Sequence, residues 1–157
     1  MCIRDRARNK KMLPRQHILL GLVFSLLVWI ILPWISWFYI LIIFLSSFLI
    51  DFDHYLVAVY HTKNIGLINA LKFYEMVKEK QREEHKRGMR KRGLFFLFHT
   101  IEFHLVVLLI GISYEPFIYI FIGMVFHSMV DFIDLSYKNL LYKREYFLTR
   151  WIIQKLK

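Results

Sequence analysis

Asp51, Asp53 and His54 lie within four residues at the close of a long apolar run, and His17 stands just before that run begins. His99, Glu102 and His104 fall in a second apolar stretch, and His127, Asp131 and Asp134 in a third. Imidazole and carboxylate together, without thiolate, suit zinc, manganese or iron, and zinc or manganese is the expected ion. The single Cys2 offers neither a thiolate cluster nor a disulfide framework. An ion held by such ligands lowers the pKa of water and polarises an ester or phosphoester oxygen. Glu102 is the expected general base, and Asp53 the carboxylate acting beside it.

The surrounding elements read as transmembrane helices. The chain has 157 residues, 57% of them hydrophobic and 18% aromatic, above the apolar share of a soluble domain. Residues 18–50 carry no charge for 33 positions. One helix of that length would be about 50 Å long against a hydrocarbon core of about 30 Å. Pro33, followed by Trp34 and Trp37, divides it into spans at about 18–32 and 35–50 joined by an interfacial turn. A single kinked helix is the alternative. Leu94 to about Ile112 forms a third span, Ser113-Tyr114-Glu115-Pro116 a turn, and 117–135 a fourth. The expected fold is all-α, a bundle of about four transmembrane helices over 12–135. Residues 51–93 form a basic loop in which Leu67, Leu71, Tyr74 and Val77 recur at helical spacing, and 136–157 an interfacial tail. Met1-Cys2-Ile3-Arg4-Asp5-Arg6 resembles a read-through extension, so 1–11 is set aside and Met12 is the expected start.

The net charge of +10 does not point to nucleic acid, because of where it lies. Of 22 Lys and Arg, six fall in 1–17, ten in 51–93 and six in 135–157, and none in 18–50 or 94–134. This is the positive-inside pattern: a membrane protein with both termini and the basic loop in the cytoplasm. Counted from that side at the helical rise, His99 lies about 7 Å deep, Glu102 about 12 Å, Asp131 about 6 Å and His127 about 12 Å. His17 and the Asp51–His54 stretch mark the same level. On a helix, His99 with Glu102 and His127 with Asp131 each share a face, whereas His104 is about 140° from His99.

Structural alternatives exist for each position. Asp51 could cap a helix, and His99–Glu102 or His127–Asp131 could be hydrogen-bonded pairs that only fix the bundle. Four elements delivering ionisable groups to one layer favour joint use, because unpaired buried acids are costly.

An N-terminal His opening a short span, then Asp51-Phe52-Asp53-His54, then His99 through His104, then His127-Ser128-Met129-Val130-Asp131, resembles the small prokaryotic membrane-bound metal-dependent hydrolases. The likeness extends over most of 12–135. It implies an inner-membrane location and a metal set of His17, Asp51, Asp53, His54, His99, His104, His127 and Asp131, beside which depth on the helix adds Glu102 as the base. The expected partners are membrane lipids, with a lipid or phosphoester substrate whose phosphate the basic loop recruits. The rival readings are a metal-binding or transport protein and a non-enzymatic membrane scaffold.

Overall fold

The computed structural model describes residues 14–156, so the reading of residues 1–11 lies outside the described residues. Among the described residues the chain is helical, without strands. In order come α1 (Pro14–Ile31), α2 (Trp37–Leu49), α3 (Phe52–Thr62), α4 (Leu67–Lys86), α5 (Ile101–Ser113), α6 (Pro116–Tyr137) and α7 (Leu148–Leu156). Short 3-10 turns occupy Leu97–His99 and Leu141–Lys143.

Pro33 does end the first helix, and Ser36 restarts the chain by accepting the Phe38 N–H on its hydroxyl. α1 and α2 then fold back on one another, which removes the kinked-helix alternative. A Cβ on Gly21 of α1 would stand 2.1 Å from Ser47 Oγ of α2, so any larger residue there would have to displace the Ser47 hydroxyl. α6 packs as closely on α2 beside α1, where a Cβ on Gly123 would meet Ser46 Oγ at 2.0 Å and the Ile43 carbonyl at 2.5 Å, and Phe24 of α1 stacks on Phe126 of α6 at 4.0 Å. The seam can be buried because Ser25, Ser46 and Ser47 each donate their hydroxyl to the carbonyl three residues back. Ile50, Val107 and Met124 form the small apolar core beside it.

α2 and α3 are nearly one rod. Asp51 N–H donates to Phe48 O (3.1 Å), Asp53 N–H to Ile50 O (3.3 Å) and His54 N–H to Asp51 O (3.0 Å). These are bonds of 3-10 type, and they tighten the helix locally to about three residues per turn. The rod Trp37–Thr62 and α6 are both long and apolar enough to cross a membrane; Gln16–Ile31 and α5 are shorter apolar helices. Their outward faces are apolar, with Leu19, Ile30, Leu109 and Ile112 between 61% and 76% exposed.

The third apolar stretch departs from expectation, since its α-helix begins at Ile101 rather than Leu94. Gly93 N–H donates to Lys143 O (2.8 Å) and Ile101 N–H to Tyr146 O (2.9 Å), so this strip of backbone runs beside the chain that follows α6. Thr100 then caps α5, accepting the Phe103 N–H at 3.4 Å. A backbone satisfied from outside has no need to be helical.

The basic segment 51–93 holds α3 and α4, the latter where Leu67, Leu71, Tyr74 and Val77 recur at helical spacing, and the tail holds α7. α4 lies against α3, with Tyr74 donating its hydroxyl to the His54 carbonyl at 2.6 Å. α7 is held by Phe95 stacked on Trp151 at 4.4 Å and by Arg92, which donates to Gln154 Oε1 at 2.8 Å.

Candidate metal centre

α6 brings two ligand candidates on one face, as the four-residue spacing requires. His127 is 1% exposed and stacks on the His17 ring at 4.6 Å. Its Nδ1–H donates to the backbone carbonyl of Ser47 at 2.8 Å. A carbonyl can only accept, so in the neutral ring Nε2 carries the lone pair. That nitrogen stands 3.4 Å from Asp51 Oδ1 and 3.7 Å from Asp131 Oδ2. The tightened turn between α2 and α3 is what delivers Asp51 to it.

The Leu97–His99 turn supplies the next ligand. His99 Nε2 lies 3.7 Å from Asp51 Oδ1 and 3.9 Å from Asp131 Oδ2. His17 Nε2 reaches Asp131 Oδ1 at 3.5 Å, and His54 Nδ1 reaches Asp51 Oδ1 at 3.5 Å. Donors thus converge in three overlapping groups, each with ligand atoms within 4.8 Å of one another: His17, Asp51 and His127; Asp51, His54 and His99; His99, His127 and Asp131. Four ligands around an ion at about 2.05 Å would stand about 3.3 Å apart, slightly closer than these contacts.

Two buried atoms test whether a metal fits. Among the described residues, His99 Nε2 and His127 Nε2 have no hydrogen-bond partner, although their residues are 4% and 1% exposed. Leaving such atoms unsatisfied costs about 1–3 kcal/mol each. Both point toward the same two carboxylates. A network meant only to lock helices would pair them; a cation between them satisfies all four groups at once.

Three sequence-stretch assignments change. Asp53 is buried behind His99, not in the cluster: its Oδ2 accepts the Phe98 N–H at 2.7 Å and lies 3.7 Å from His99 Nδ1, on the side of the ring away from the other ligands. That gap is too long for a hydrogen bond, and His99 Nδ1 has no hydrogen-bond partner among the described residues. Glu102 is not beside the cluster at all. Its carboxylate accepts the Leu148 N–H (2.9 Å), the Thr149 N–H (3.0 Å) and the Thr149 hydroxyl (2.9 Å), capping α7. The three-residue spacing from His99 fails because Thr100, in extended conformation, separates the 3-10 turn from α5. His104 also points elsewhere. Its Nδ1–H donates to the Thr100 carbonyl (2.9 Å), and Ser128 donates its hydroxyl to Nε2 (3.0 Å). Glu102→Gln is therefore expected to leave metal content unchanged while loosening α7, seen as faster limited proteolysis after Arg150.

No family model matches this chain, and neither curated proteins nor solved structures give a match. The chemistry of the centre thus carries the functional argument.

Three groups beside the centre escaped sequence reasoning. The Ser47 carbonyl is backbone and leaves no trace in residue type. Arg144, whose Nη1 donates to Asp131 Oδ2, reads in sequence as one cation of a basic tail. Lys138 holds Asp134 at 2.5 and 2.6 Å, and only its four-residue spacing hinted at this.

Proposed function

We propose that the chain is a multi-pass membrane protein with a metal-dependent hydrolase centre at its cytoplasmic face, acting on an ester or phosphoester. α1, the α2–α3 rod, α5 and α6 are the four membrane helices of this reading, with both termini inside. Apolar outward faces and the absence of Lys and Arg from 18–50 and 94–134 support it. α5 has 13 residues, about 20 Å of helix, so the extended strip 94–96 and the 3-10 turn must share its crossing. In that stretch the Phe98 N–H is taken by Asp53 and the Thr100 N–H by the Leu97 carbonyl, the kind of internal satisfaction a non-helical stretch at membrane depth requires.

The observation that carries the hydrolase reading is the pair of buried, unpartnered nitrogens, His99 Nε2 and His127 Nε2, facing Asp51 and Asp131. His17, Asp51, His54, His99, His127 and Asp131 would hold zinc or manganese. Such an ion would act as a Lewis acid on an ester oxygen and on attacking water. The chain's own part is positional: Ser47 fixes the His127 tautomer, Asp53 backs His99, and Phe96 stacks on His54 at 4.0 Å to set its plane. Glu102 is too far committed to α7 to serve as base.

The test is metal analysis of the purified protein in non-ionic detergent together with hydrolysis of bis-p-nitrophenyl phosphate and p-nitrophenyl acetate. Stoichiometric zinc or manganese is expected, with turnover that disappears on chelation and returns when the ion is restored. Protein that takes up neither ion would end the proposal.

A further inference from the structure

The centre opens into a cavity of about 440 Å³, within the size range of small-molecule sites. His17, Asp51, His54 and Asp131 line one part of it. Another part is apolar and comes largely from α4: Leu67, Leu71 and Val77, facing Leu94 and Leu135. The amphipathic face of α4 therefore does not merely lie on a surface. It walls a cavity whose other side holds the ligand cluster. Leu67 and Leu71 remain 66% and 60% exposed, so this wall continues outward as an apolar surface.

Charge decides what the cavity can hold. Lys78, Lys138, Lys143 and Arg144 line it against the carboxylates Asp51, Asp131 and Asp134. Four cations against three anions is nearly balanced, but one divalent ion at the centre makes the cavity clearly positive. The cations also differ in commitment. Lys138 is tied to Asp134, whereas Lys78 and Lys143 form no ion pair among the described residues. Arg144 holds Asp131 through a single nitrogen, Nη1, and a guanidinium has further donors arranged for a phosphate.

Resting on the metal reading above, we infer that this cavity binds a phosphate-headed amphiphile. Arg144 and Lys143 take the phosphate beside the metal ligands, and the Leu71–Val77 face of α4 takes the first part of the acyl chains. The recruiting cations are then those after α6, not the charged stretch 83–92. In that stretch Arg87 pairs with Glu83 and Lys91 with Glu84.

Native mass spectrometry of the full chain from non-ionic detergent tests this, with metal content read in the same spectra. The probes are dioctanoyl phosphatidate, dioctanoylglycerol and inorganic phosphate. Phosphatidate should bind at least about ten-fold more tightly than either other probe, since each lacks one half of the recognition. Lys143→Gln should weaken phosphatidate by about ten-fold without changing metal content. Leu71→Asn should weaken phosphatidate but not inorganic phosphate. Equal binding of dioctanoylglycerol would reduce the cavity to an apolar groove and overturn the inference. Equal binding of inorganic phosphate would overturn the chain-holding part and with it the amphiphile. Metal-loaded protein that binds no phosphatidate also overturns it, while leaving the metal centre standing. Metal-free protein that still prefers phosphatidate supports the cavity assignment and removes the hydrolase instead.

Discussion

Replacing His127 with alanine is expected to abolish both metal retention and hydrolysis while the helices remain folded. His127 belongs to two of the three donor groups, so its loss removes a ligand from each. Changes to groups that merely orient a ligand typically cost 10–100-fold in metal affinity, about 1.4–2.8 kcal/mol, and deleting the ligand itself should cost more. The orienting partner here is the Ser47 carbonyl, which no side-chain replacement removes. His127→Gln is the informative companion. Its amide N–H₂ could keep the bond to Ser47 while presenting no imidazole nitrogen, so it should retain the packing of α6 on α2 and still lose the ion. Metal per protein by mass spectrometry, beside helicity by circular dichroism, reads the two effects separately. Full metal content in His127→Ala would exclude this residue as a ligand and leave the buried nitrogen without explanation.

The elements were legible in the sequence where the chain's own chemistry is local. Pro33 with Trp34 and Trp37 located the first hairpin, and the charge-free runs located α2 and α6, because helix breaking and hydrophobic length are written in consecutive residues. His127 and Asp131 were legible for the same reason, being four apart on an unbroken helix. The spacing argument failed at His99 and Glu102. It assumed one helix through both, but Gly93 and Ile101 bond to Lys143 and Tyr146, some forty to fifty residues along the chain. A tertiary backbone pairing of that kind leaves no periodic signal. The same segment explains Asp53: the Phe98 N–H, free because residues 94–96 are extended, captures its carboxylate. Asp51, by contrast, forms no side-chain cap bond and turns to His127, against its reading as a helix cap.

Arg144 offers the sharpest remaining test of the proposed metal centre. Asp131 and Arg144 are both largely buried, with side chains 14% and 12% exposed. Removing one member of such a pair strands the other charge and costs about 3–5 kcal/mol. In metal-free protein, Asp131→Asn and Arg144→Met should each lower the melting temperature strongly, whereas the double substitution should recover most of the loss. A bound divalent ion changes the sign of the argument for one of them only. It supplies Asp131 with positive charge, so Arg144→Met should become much less destabilising once zinc or manganese is added. Asp131→Asn should gain nothing from the ion, because it removes a ligand as well as an ion-pair partner. Thermal unfolding of the four proteins in detergent, each with and without metal, reads this directly. An Arg144→Met penalty that is the same in both conditions would mean that the guanidinium and the ion do not share Asp131. It would also place the centre on Asp51 with His17, His54, His99 and His127 alone.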